Sequence, residues 1–145
     1  MSLKLLALDD EDLTVVSAHM QDAVFRVGDV EYYPKNGNFA LSANRFAWEA
    51  ADRAAKGFER CRAMLCFKQV KAVRSIGFDR GKADTVLSLL AVMFEKDGEG
   101  PEGSIELVLA GGGSIVLDVD CIEVQLADTG GTWETTLKPR HPGAA

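Results

Sequence analysis

Three cysteines (Cys61, Cys66 and Cys121) and two histidines (His19 and His141) are the residue types here best suited to hold a metal or to run nucleophilic chemistry. Their spacing argues against both. Cys61 and Cys66 stand five apart in an apparent strand, so they face opposite sides and cannot share an ion. Cys121 reads as a small buried hydrophobe. His19 falls one place from the apolar stripe of a helix, and His141 lies in the terminal stretch PRHPGAA. A serine or cysteine nucleophile needs a base oriented by a third group, and neither imidazole is placed to serve.

Gly77-Phe78-Asp79-Arg80-Gly81-Lys82 has the flavour of a phosphate-binding loop. It is one residue short between its glycines, and Ala83 stands where a Ser or Thr must follow the lysine to hold magnesium. Gly111 to Ser114 runs from one strand into another, so no helix N-terminus waits there for an anion. The acids are plentiful. Asp9, Asp10, Glu11 and Asp12 suit a helix start, while Asp118 and Asp120 alternate outward into solvent. None is driven into an apolar pocket as acid–base work requires. The sequence therefore assigns no catalytic, cofactor-binding or metal-binding residue.

Charge offers a second route to function. The net charge is −6, yet residues 53–82 hold a balance of +7 between acidic flanks of −5 (residues 1–52) and −10 (residues 83–135). If neighbouring antiparallel strands interleave these segments, the basic strand makes cross-strand pairs and nothing more. If they do not, Arg60, Arg62, Lys68, Lys71 and Arg74 form a contact face for an anionic partner. Nucleic acid fits poorly, because the chain is acidic overall and the basic stretch lacks interleaved exposed aromatics.

These residues must be positioned by strands. Ile105, Leu107 and Leu109, then Ile115, Leu117 and Val119, alternate with a period of two on either side of Gly111-Gly112-Gly113. That is a hairpin, with glycines at the corner. Earlier, Leu3 to Leu8 suits a strand, and Asp9 or Asp10 caps a helix whose stripe is Leu13, Val16 and Met20. Val24 to Val27 leads through Gly28-Asp29 to Val30–Tyr33, which the Asn36-Gly37 turn pairs with Phe39 to Arg45. Phe46 and Trp48 read as a core anchor or rim, and residues 49–59 as a mobile loop.

Cys61, Ala63, Leu65 and Phe67 share one face, after which the phase shifts near Lys68 to Lys71, through a bulge or between two strands. Val86 to Phe94 is almost wholly apolar and reads as a central strand covered on both sides. Cys121 to Asp128 is readable as a strand with a bulge. A short helix takes precedence, with Asp120 as N-cap, Glu123 three places on and Thr129-Gly130-Gly131 as its stop.

At 145 residues, 47% of them hydrophobic, the chain is long enough for one domain that buries roughly two thirds of its unfolded surface. We expect one β-rich domain over residues 1–135 and a tail over 136–145. No apolar run reaches the ~20 residues of a membrane span. The start, MSLKLLALDDEDL, does not read as a signal peptide. An odd number of cysteines argues for a reducing compartment, and so for the cytoplasm.

The stretches HMQDAVFRVGDVEYYPKNGNFALSANRFAWE and AGGGSIVLDVDCIEVQLADTGGTW resemble an uncharacterised alphaproteobacterial family, domain of unknown function 2948. QDAV-RVGD, NRF-WE and C-IE-QL-D carry the likeness, which covers nearly the whole chain. The resemblance implies a small cytosolic bacterial protein, from a family whose genes often lie near that of histidinol dehydrogenase. It assigns no activity and no site residue.

The fold expected is mainly antiparallel β (α+β), about seven strands in a curved sheet or partly open barrel with a helix near each end, resembling the pleckstrin-homology architecture. The function expected is a non-enzymatic binding or adaptor protein with an unknown protein partner, no cofactor and no membrane. The alternative is a small-ligand protein or enzyme with its site inside the curved sheet. Homodimerisation through an exposed sheet edge is compatible with either.

Overall fold

The computed structural model describes residues 3–47 and 59–134. In chain order the elements are β1 (Lys4–Ala7), α1 (Asp10–Met20), β2 (Ala23–Arg26), a 3-10 turn (Val27–Asp29), β3 (Val30–Tyr33), β4 (Asn38–Phe46), β5 (Glu59–Phe67), β6 (Val70–Ile76), β7 (Val86–Lys96), β8 (Gly103–Leu109), β9 (Ser114–Val119) and β10 (Val124–Glu134). The strands form one antiparallel sheet in the order β1-β10-β5-β4-β2-β7-β8-β9-β6, and β3 lies on β4.

Local chemistry sets most of these elements. Asp9 caps α1, its carboxylate accepting the Asp12 N–H at 2.8 Å, while Leu13, Val16 and Met20 face inward. The Asn36-Gly37 turn fixes the β3–β4 register at Tyr33 opposite Asn38 and Val30 opposite Leu41. Strict alternation then buries Phe39, Leu41 and Ala43 on β4, and Cys61, Ala63, Leu65 and Phe67 on β5.

Corners fold the sheet into two halves around one core. Between β5 and β6 the chain turns at Gln69, whose φ of 61° is left-handed. The turn is held by Lys68 N–H to Glu123 C=O and Asp120 N–H to Gln69 C=O, both 2.9 Å. On the other side β2 pairs with β7 and meets β4 only at Val24 opposite Asn44. Leu41 and Leu65 from one half therefore share a core with Leu107 and Leu117 from the other. Helix α1 closes one end against β7, with Ser17 Oγ accepting the Val92 N–H at 2.8 Å.

Four expectations change. The strands number ten among the described residues rather than seven, partly because the stretch from Arg60 to Ile76 is two strands parted at Gln69. Cys121 to Asp128 is not a helix. Residues 120–123 make a bend that absorbs the phase change, and β10 follows, with Leu126 opposite Leu5 on β1 and Leu65 on β5. Two ladders and three buried side chains, Ile122, Val124 and Leu126, outweigh one local cap. The C-terminal helix behind the pleckstrin-homology analogy is thus a strand.

β7 is central in the order but covered on one face only. Leu89 and Val92 are buried, whereas Val86 (62% exposed) and Met93 (56%) stand in water. Cys121 is half-buried rather than buried. Trp48, the loop expected over 49–59 apart from Glu59, the tail over 136–145 and His141 lie outside the described residues. No helix among the described residues is long and apolar enough to cross a membrane.

Candidate functional site

Two of the sheet's edge strands, β3 and β6, face a common gap. Among the described residues β3 pairs only with β4, and β6 only with β9. Val70 N–H donates to Gly37 C=O at 2.9 Å and pins one end of this gap. The loop of residues 77–85 closes the other, through Val27 N–H to Thr85 C=O and Gly28 N–H to Ala83 C=O, both 2.9 Å.

Between these ties lies a cleft of about 400 Å³. β3 contributes Val30 and Tyr32, and β6 contributes Val73 and Ser75, each pair two apart and so on one side of its strand. Phe39, Leu87 and Ile115 complete the apolar wall, and Phe78 and Arg80 reach it from the loop. Its size and lining suit a ligand site with few polar anchors.

A close backbone crossing holds the loop in place. Gly77 has φ +88°, and a Cβ there would stand 2.7 Å from Gly113 Cα. The Asp79 carboxylate accepts the Gly81 N–H at 2.9 Å, which fixes the turn that carries Arg80. Arg80 is the only charged residue among the described lining, is exposed, and makes no ion pair or side-chain hydrogen bond with the described residues. An apolar cleft with one uncommitted guanidinium can hold an apolar group that ends in an anion.

The five basic residues singled out in the sequence do not gather. Arg60 and Arg62 lie on β5 in one half of the sheet, Lys71 and Arg74 on β6 in the other, and Lys68 at the corner between. Arg60 stacks over the Phe46 ring, its Cζ 3.8 Å from the centroid, and donates to Asn44 C=O at 3.2 Å. Burial lowers its pKa, against a smaller upward pull from Asp22. Arg62 reaches Asn44 Oδ1 at 3.2 Å and Asp29 at 3.7 Å. Lys71 faces Asp120 at 3.4 Å, and Arg74 faces Asp118 at 3.3 Å. Basic β6 beside acidic β9 is cross-strand interleaving of charge.

A second polar cluster was not singled out in the sequence. Arg45, fully buried on β4, makes a fork onto Asp128 of β10, Nε to Oδ1 at 2.9 Å and Nη2 to Oδ2 at 3.0 Å. The Leu3 N–H donates to the same carboxylate at 2.8 Å, and the Cys61 thiol lies 3.5 Å from it. Burial works to raise the Asp128 pKa. Arg45, the Leu3 N–H and Cys61 together outweigh it and hold the carboxyl below its usual range. Cys66, on the opposite face of β5, has its thiol pushed up by burial against a weaker pull from Lys68.

The model of a family described as "Protein of unknown function (DUF2948)" matches residues 3–141. The chain belongs to that family. The match takes in the cleft, both of its strand edges and the Arg45–Asp128 pair. No curated protein and no solved structure matches the chain.

For this member of the family, part of each site was readable beforehand. Arg45 falls in phase with Phe39, Leu41 and Ala43, which places it on the buried face. Arg80 lies inside the failed phosphate motif, and no local signal places it beside Val73 or Tyr32. Only the long-range pairing does that.

Proposed function

We propose that this protein is a non-enzymatic binding protein of the cytoplasm, and that its ligand site is the cleft between β3 and β6. The ligand group is apolar and carries a negative charge. One observation carries this reading. A cleft of about 400 Å³ with an otherwise uncharged described lining has a single guanidinium at its wall, Arg80, with no partner among the described residues. Ser75 is the hydroxyl nucleophile on β6 in the lining, and among the described lining residues it has no imidazole or carboxylate beside it. Cys61, Cys66 and Cys121 form no disulfide, which suits a reducing compartment.

This reading moves the contact surface away from the basic residues of β5. Arg60 and Arg62 already have local partners there, whereas the ion pairs of Lys71 and Arg74 on β6 are exposed.

The test uses 8-anilinonaphthalene-1-sulfonate, an apolar probe with one anionic group. It should bind saturably with enhanced fluorescence. Arg80→Glu should weaken it about tenfold or more, the worth of one charge-assisted contact. Val73→Trp, which puts an indole into the cleft, should weaken it as well. Binding indifferent to both substitutions would place the site elsewhere.

A further inference from the structure

We infer that the occupant of this cleft is an extended, acidic peptide segment that adds as a strand along the free edge of β6. The inference rests on the cleft being the ligand site and says what fills it. Three observations carry it. First, the gap is bounded by strand edges. Among the described residues, β6 uses its outer edge only where the Val70 N–H meets Gly37 C=O at 2.9 Å, and the rest of its backbone polar groups there face no partner strand. Such a row of donors and acceptors is a template for another extended chain.

Second, the side chains have the matching period. Val73 and Ser75 of β6, and Val30 and Tyr32 of β3, point into the cleft at alternate positions. A strand laid beside β6 therefore sends every second side chain into the same apolar space. Third, the charges select the occupant. The chain is net −6, yet this edge carries Lys71 and Arg74, and Arg80 stands at the cleft. The pairs these two β6 cations make with Asp120 and Asp118 are exposed, at 3.4 and 3.3 Å, so a partner's carboxylates can share them at little cost. A second copy of β6 would instead set Lys71 and Arg74 against themselves, which like-charge repulsion across a ladder disfavours.

The experiment selects a random-peptide phage library on the full chain and then follows amide hydrogen exchange with the enriched peptide bound. Selected peptides should alternate apolar residues with acids and should slow exchange across Val70–Ile76. Methylating alternate backbone nitrogens of the peptide should abolish binding for one of the two parities only. The double variant Lys71→Glu and Arg74→Glu should lose at least about tenfold in affinity with its circular dichroism unchanged.

If the enriched peptide shifts the Phe78 and Tyr32 resonances but leaves β6 exchange unchanged, strand addition is wrong while the cleft remains the ligand site. Sulfonate probe binding at the cleft with no peptide enriched overturns the inference in the same way. Loss of both overturns the inference together with the proposed site. Protection of β6 that grows with protein concentration and needs no peptide would name a second copy as the occupant, against the inference.

Discussion

Asp128 illustrates how one buried side chain can hold distant parts of the chain together. Its carboxylate joins β10 to Arg45 on β4, to the Leu3 N–H ahead of β1 and to the Cys61 thiol on β5. Arg45 is fully buried and the Asp128 side chain is 3% exposed, so neither charge has water as a substitute partner. Removing one member of such a pair strands the other, and Asp128→Asn should destabilise the fold by about 3–5 kcal/mol in urea melts near neutral pH. The pH dependence has a definite sign. The carboxyl is held below its usual range in the folded state, so its contribution is complete above the unfolded pKa, about 3.9. It fades as pH falls through the depressed folded value. The gap in melting temperature between the native chain and Asp128→Asn should therefore be widest near neutrality and close in acid. A gap that widens on acidification would mean the ion pair is not what stabilises this corner. Arg45 was legible as an inward residue from its phase on β4. Asp128 was not, because its own neighbourhood reads first as the end of a helix, and its partner is remote in sequence.

At the scale of elements, the corners decide where the cleft opens. Gln69 holds a left-handed φ of 61° between β5 and β6, a conformation costing a non-glycine residue roughly 1–2 kcal/mol. Its side-chain bond to Glu123 at 3.0 Å is exposed and gives little back. Gln69→Gly should thus raise stability by up to about 1 kcal/mol after the extra chain entropy of glycine is counted. A clear loss of stability would mean the Glu123 contact matters more than the backbone. Gly77 is the converse case. Alanine there meets both the φ of +88° and a contact of 2.7 Å with Gly113 Cα. Gly77→Ala should cost roughly 2–3 kcal/mol and displace the loop that brings Phe78 and Arg80 to the cleft. Weaker sulfonate binding should accompany the loss, and binding left intact would show that the loop is held by other contacts. The hairpins at Asn36-Gly37 and Gly111–Gly113 were legible because their chemistry is local. The Gln69 corner showed only as a phase shift, since nothing in the glutamine itself calls for a positive φ.

For the whole molecule, the order of the sheet is set by pairings that no local pattern encodes. β1 and β10 meet across a sequence separation of 125 residues at Leu3 and Asp128, and β10 enters between β1 and β5. Alternation predicts which side of a strand is buried but not which strands are neighbours, so the antiparallel class was legible and the order was not. The same order predicts how stability is distributed. β5 lies between β4 and β10, and β8 between β7 and β9, each with a partner strand on both sides and a buried inner face. Among the described residues, β3 and β6 each have a partner strand on one side only. Amides that open only with the whole fold should therefore cluster on β5 and β8, while those on the outer edges of β3 and β6 exchange through local fluctuations. Native-state exchange over a series of urea concentrations checks this directly. Protection at β5 and β8 should converge on the global unfolding isotherm, and that of β6 should stay flat and low. If β6 instead joined the global isotherm with no ligand present, its edge would already be covered, and the cleft would be closed to any added strand.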